Sequence, residues 1–136
     1  MPFIHPNPDS LEGHALIGTA ECVALLQNTM SVPHTSLWRE GAVVFGNPNI
    51  QKGTAIATFV NGRYPLKGRK HAAIYISQDE DSIYVIDQWR DREAVGIRPI
   101  RVKPTNKDGS HYDPSNNAKA FSVIETQDNL GPQPRP

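Results

Sequence analysis

Two hydrophobic rhythms divide the chain. After Gly18 the segment Thr19-Ala-Glu-Cys-Val-Ala-Leu-Leu-Gln27 combines good helix formers with Val23 and Leu26 on one stripe, and Thr19 reads as its N-cap. A helix from Thr19 places Cys22 in the first turn, among backbone N–H groups that have no intrahelical partner. A short helical or turn segment carrying Trp38 is expected around Ser36 to Gly41. Beyond Gly53 the rhythm changes to period two. Thr54 to Val60 reads as a strand closed by Asn61-Gly62, a basic loop runs from Arg63 to Lys70, and His71 to Ser77 reads as the next strand. The acidic tip Gln78 to Asp81 returns the chain into Ser82 to Trp89, making an antiparallel hairpin. Val95 to Val102 is predicted as a fourth strand at a sheet edge, because Pro99 cannot donate to a ladder, and Ala118 to Glu125 as a fifth. Prolines at 2, 6 and 8 suit an extended leader, no internal repeat is visible, and the proline-rich tail 131–136 is expected to be disordered. One domain over residues 1–130 is the expected organisation.

Both faces of the central hairpin are apolar. Ala72, Ile74, Ile76, Tyr84 and Ile86 share one side; Ala73, Tyr75, Ile83 and Val85 share the other. Such a sheet needs cover on both faces, or a helix on one face and its own curl on the other. The expected fold class is α+β, with the N-terminal helix packed on an antiparallel sheet.

Charge and composition narrow the functional classes. The 136 residues carry 14 basic and 14 acidic side chains, so no net field attracts nucleic acid or an anionic membrane. The first ten residues have no cationic region, apolar stretch or cleavage site, so no Sec signal is read there and synthesis in the cytoplasm is expected. Apolar runs of four or five residues fall far below the roughly 18 of a spanning helix. A chain of this size buries a core without metal or disulfide staples, and its single cysteine excludes an intrachain disulfide.

Two polar residues interrupt the second hairpin face: His71 at the start of one strand and Asp87 near the end of the next. Antiparallel pairing across a tip of three or five residues sets them directly opposite, whereas an even tip without a bulge breaks the parity. A carboxylate beside an imidazole fixes its tautomer and favours the imidazolium. Cys22 supplies the nucleophile this pair lacks, because a helix N-terminus and a nearby imidazolium both favour the thiolate. The adjacent Glu21 opposes that weakly. The Cys22 amide can also donate to an oxyanion. Together these groups make a thiol acyl-transfer site.

With Glu21-Cys22-Val23 at a helix start, the strand Gly53-Thr-Ala-Ile-Ala-Thr-Phe59, His71-Ala-Ala-Ile-Tyr-Ile and Ile83-Tyr-Val-Ile-Asp-Gln-Trp89, the chain resembles the papain-like peptidoglycan amidases of the NlpC and CHAP type. Within them it resembles the small type VI secretion amidase effectors, over about residues 13 to 102. The resemblance implies a papain-like fold with Cys22 as nucleophile, His71 as general base and acid, and Asp87 as the orienting residue. It implies a peptide bond in the stem or cross-link of peptidoglycan as substrate, and no cofactor. It further implies a toxin delivered by a contractile injection machine into a rival's periplasm, with an immunity protein as partner plugging the cleft. CHAP-type chains commonly carry Gly-Gln-Cys; here Ala20-Glu21-Cys22 replaces it, which leaves the completion of the oxyanion hole unassigned.

Each candidate also has a plainer reading. Cys22 can be a small core hydrophobe, His71 a hydrogen-bonded structural residue, and Asp87 a strand end bonded to Arg90 or Arg92. Trp38, Trp89 and Tyr75 read as core or cleft-wall aromatics, with Trp89 and Tyr75 as candidate substrate contacts. The 63–70 run reads as a solvated loop in which Arg69 and Lys70 can attract stem carboxylates, Arg69 being the candidate binding residue. His14 is a candidate for the cleft rim; His34 and His111 read as solvated. Zinc on Cys22, His71 and Asp87 is disfavoured because no closely spaced ligand pair accompanies them, so no metal is expected. The alternative to an amidase is a noncatalytic module on the same fold, binding cell wall or protein through an aromatic cleft.

Overall fold

The computed structural model describes residues 2–127; the tail expected to be disordered from Gly131 lies outside them. One helix, α1 (Cys22–Met30), packs on a six-stranded antiparallel sheet of β1 (Arg39–Val43), β2 (Ala55–Thr58), β3 (Ala72–Gln78), β4 (Ser82–Asp87), β5 (Gly96–Arg101) and β6 (Phe121–Glu125). The spatial order is β1-β6-β2-β3-β4-β5, so β5 is the edge strand Pro99 requires. This is the expected α+β, papain-like arrangement. Among the described residues no helix is long and apolar enough to cross a membrane.

The two hairpin faces separate into two cores. Leu25 and Leu26 of α1 lie over Ala55, Ala57, Ala72, Ile74 and Ile86. Three alanines there let the helix approach the sheet closely. On the opposite face Ile56, Ala73, Tyr75, Ile83, Val85, Phe121 and Val123 are covered by Val44, Ile100 and Ala118 from loops and the curled sheet edge.

Three local expectations need correction. The helix starts at Cys22 and not after Thr19, because Ala20 takes a left-handed conformation (φ 69°) and the extended Glu21 becomes the N-cap. Gly18 (φ +62°) lies against the helix it precedes; a Cβ there would sit 2.7 Å from the Asn28 amide. The helix continues to Met30, with the Asn28 and Thr29 side chains donating back to the Ala24 and Leu25 carbonyls. The segment around Trp38 is a 3-10 turn (Thr35–Leu37) followed by the unforeseen strand β1, which pairs with β6. Residues 118–120 form a 3-10 turn ahead of β6.

The β3–β4 register also differs from the expected one. Ile74 faces Ile86 and Tyr75 faces Val85, so extending the ladder puts Ala73, not His71, opposite Asp87. The tip is even, closed by the Asp79 amide donating to the Ser82 carbonyl, and a bulge at Ile76 restores the parity. His71 therefore keeps the face of Asp87 but sits diagonally from it, within reach of a long side chain.

Candidate active site

Asp87 and Gln88 point their side chains into different halves of one site. Asp87 is fully buried and accepts from three sources: His71 Nε2 at 2.7 Å, Arg98 Nε at 2.8 Å and Arg92 Nη1 at 2.5 Å. Arg92 Nη1 also donates to the Asp87 carbonyl at 3.0 Å. Gly96, opposite Asp87 on β5, makes room for this: a Cβ there would meet the Arg92 guanidinium at 2.6 Å. The Trp89 ring lies over both guanidiniums, 4.5 Å from Arg92 and 5.2 Å from Arg98. Of the two arginines named as structural partners for Asp87, Arg92 takes that place, while Arg90 pairs with Glu21 at 3.1 Å on the surface.

Gln88 is also fully buried, and its partners are all backbone. Its Nε2 donates to the carbonyls of Ile17 and Glu21 at 2.9 and 2.8 Å, and its Oε1 accepts from the Ile17 N–H at 2.8 Å. This one amide ties the end of β4 to both sides of the turn that opens α1. Glu21 makes no side-chain cap bond, and Cys22, as the first residue of α1, has an N–H with no partner within the helix.

The half-buried Cys22 thiol meets His71 and the Tyr64 hydroxyl, which is 3.7 Å from Sγ. His71 Nε2 is engaged by Asp87, so Nδ1 is the nitrogen left to exchange a proton with sulfur. Burial pushes the Cys22 thiol up, but the His71 bond and charge, the Ala72 backbone and Tyr64 outweigh it and bring the thiol below its ordinary range. Burial pulls the His71 ring down, yet Asp87 and Cys22 together push it up to about 9. At Asp87 burial pushes the carboxyl up, and His71 with Arg98 holds it below the ordinary carboxylate range. These directions agree on one state: thiolate, imidazolium and carboxylate in sequence.

A cleft of about 390 Å³ opens over this group, lined by Cys22, His71 and Tyr64, by Trp89 and Arg90 after β4, and by Lys70 before β3. Trp89 thus stands where the sequence reading put it, 40% exposed in the cleft wall. Tyr75 does not: it lies 5% exposed in the core on the second sheet face. Arg69 is also outside the cleft, its guanidinium bonded to Asp113 at 2.8 Å, and the neighbouring Lys70 takes its place. His14 stays off the rim, bonded to the Ala15 carbonyl. His34 is exposed and caps the turn before β1, whereas His111 is half-buried with its Nδ1 enclosed and unbonded. Trp38 is fully buried and lies beside Tyr64 at 4.8 Å between ring centres.

Three residues of the site were not singled out in the sequence: Tyr64, Gln88 and Arg98. Gln88 had a signal, an amide breaking the apolar alternation between Asp87 and Trp89. Tyr64 had none, because it belongs to a loop with no periodicity.

Residues 3–124 match the sequence profile of the family described as domesticated amidase effector 2. A type VI secretion amidase effector 2 protein of Salmonella typhi is 41% identical over 133 residues, covering 92% of this chain and 100% of that protein. A domesticated amidase effector 2 of Ixodes scapularis is 36% identical over 125 residues, covering 88% and 82%. The solved structure of a type 6 secretion amidase effector 2 (Tae2) matches with a TM-score of 0.88 at 40% identity, over 93% of this chain and 96% of that one. The matched span runs from the N-terminal segment through the cleft to β6, and on that span the chain belongs to the domesticated amidase effector 2 family of amidase effectors.

Proposed function

We propose that this protein hydrolyses a peptide bond in the stem or cross-link of bacterial peptidoglycan, using Cys22 as nucleophile, His71 as general base and acid, and Asp87 to orient the ring. The Cys22 thiolate attacks the carbonyl carbon and the C=O pair moves onto oxygen. When the intermediate collapses, the C–N bond breaks and His71 Nδ1–H gives its proton to the departing amine. Water then attacks the thioester with His71 as base, releasing the carboxylate and restoring the thiolate. Asp87 holds Nε2–H throughout and keeps the ring turned toward sulfur.

The observation that carries this reading is the His71–Asp87 bond of 2.7 Å beside a thiol whose proton affinity His71 lowers. The cleft is polar-rimmed and open, which suits a branched peptide more than a small metabolite. Type VI secretion, named for the Salmonella typhi relative, supports delivery into the periplasm of a target bacterium, with an immunity protein closing the cleft. The catalytic unit is proposed as one domain over residues 1–130.

Mass spectrometry of purified muropeptides incubated with wild type and with Cys22→Ala tests the reaction. New amine- and carboxyl-terminated fragments are expected with wild type alone. Equal cleavage by Cys22→Ala, with the fold retained by circular dichroism, removes Cys22 as nucleophile.

A further inference from the structure

The tetrahedral intermediate needs at least two donors around its oxyanion, and the backbone of Cys22 supplies only one. The residue ahead of Cys22 cannot add a side-chain donor: Glu21 is a carboxylate, exposed and paired with Arg90 at 3.1 Å. Beside Sγ stands a neutral donor. The Tyr64 hydroxyl lies 3.7 Å from Sγ, in the cleft, on a ring that is 8% exposed.

We infer that the Tyr64 hydroxyl is the second oxyanion donor, completing with the Cys22 N–H the hole that stabilises the intermediate. The inference rests on the amidase reading above. An oxyanion forms on the carbon bonded to Sγ, so a hydroxyl touching the sulfur reaches that oxygen with a small rotation about the Cζ–O bond. In the resting site the hydroxyl donates to the thiolate. As the C–S bond forms and negative charge leaves sulfur for oxygen, the same hydrogen follows the charge. Tyr64 gives up no proton: burial first, and then the Cys22 and Glu21 charges, push its phenol far above the ordinary range, so it remains a donor at every working pH.

The ring is held for this purpose from two sides. Trp38 lies against it at 4.8 Å between ring centres, tilted by 59°. Lys70 Nζ stands over the ring, 5.2 Å from its centre, and donates to the Pro65 and Leu66 carbonyls at 2.9 and 3.0 Å, clamping the loop that follows Tyr64. A fixed donor pays no reorganisation when charge develops.

Tyr64→Phe keeps the ring and its packing and deletes only the donor. Two rates are measured on wild type and Tyr64→Phe: peptidoglycan fragment release, which passes through an oxyanion, and iodoacetamide alkylation of Cys22 across pH, which does not. The expected result is a kcat loss of about 30- to 1,000-fold with KM within about threefold, while the plateau alkylation rate stays within about threefold of wild type. Unchanged kcat overturns the inference. Parallel loss of kcat and alkylation also overturns it, because the hydroxyl would then act on the thiolate alone. Wild type and Cys22→Ala, run beside the variant, report on the amidase reading separately, since they differ in whether any fragment is released.

Discussion

Asp87 and Gln88 are neighbours in the chain and equally buried, yet they hold the site by different physics. Asp87 bears a charge and is met by charge, from His71, Arg92 and Arg98. Gln88 is neutral and is met by backbone amides of the turn before α1. One half sets the protonation state of the His71 ring; the other sets where the Cys22 thiol stands. Consecutive residues of a strand point to opposite faces, which is why two adjacent positions can serve both halves without competing.

The comparison breaks most visibly at Asp87. Asp87→Asn keeps the shape and removes the charge, and kcat is expected to fall on the order of 10²–10⁴-fold. The pH–rate profile carries the signature. In wild type the alkaline limb lies near the His71 value of about 9; in Asp87→Asn it moves down toward the ordinary histidine range. A limb that stays in place would show that Asp87 does not hold the imidazolium.

Gln88→Ala comes next, and its effect is on position and stability. It leaves the Ile17 N–H unpaired and strips one of two donors from the Ile17 and Glu21 carbonyls, which keep the Ala20 and Ala24 N–H groups, at a cost of about 1–3 kcal/mol, or roughly 3–12 °C in Tm. The two variants then separate by pH. His71 is raised on folding, so its pairing with Asp87 stabilises fully below the ordinary histidine value and is lost as pH climbs through about 9. Asp87 is lowered, so its contribution is present above the ordinary carboxylate value and is lost as pH falls through its depressed folded one. Thermal denaturation across pH should show the gap between wild type and Asp87→Asn narrowing at both ends. The gap to Gln88→Ala should stay level, and a gap that follows pH would mean that the two halves are electrostatically coupled.

The smallest expected effect is at Gly96. Gly96→Ala meets the Arg92 guanidinium, the far end of a flexible side chain, so Arg92 moves aside at a cost under about 1 kcal/mol. Arg98 and His71 still hold Asp87, and kcat should drop only a few-fold. A loss as large as that of Asp87→Asn would make Arg92 the dominant anchor.

Legibility in the sequence followed locality. Residues 71–77 and 82–87 alternate so regularly that the hairpin, both of its apolar faces and the shared face of His71 and Asp87 can be read directly. Cys22 at a helix start is equally local. What escaped depends on distant partners or on single backbone angles. β1 is a polar, partly exposed strand whose pairing lies with β6 about eighty residues away, so nothing nearby announces it. The helix start turned on Ala20 adopting a positive φ, which no propensity for alanine anticipates. Tyr64 reaches Cys22 only because the loop after β2 folds over α1, and Tyr75 looked like a cleft aromatic while its strand turns it into the second core.

The bulge at Ile76 behaves like a parity bit. A two-residue turn at Glu80-Asp81 with a bulge delivers the same phase at Ala73 and Asp87 as a three-residue turn without one. Insertion of one residue at the tip and loss of the bulge are therefore compensating edits: either alone turns His71 and Asp87 to opposite faces, and both together return them to one.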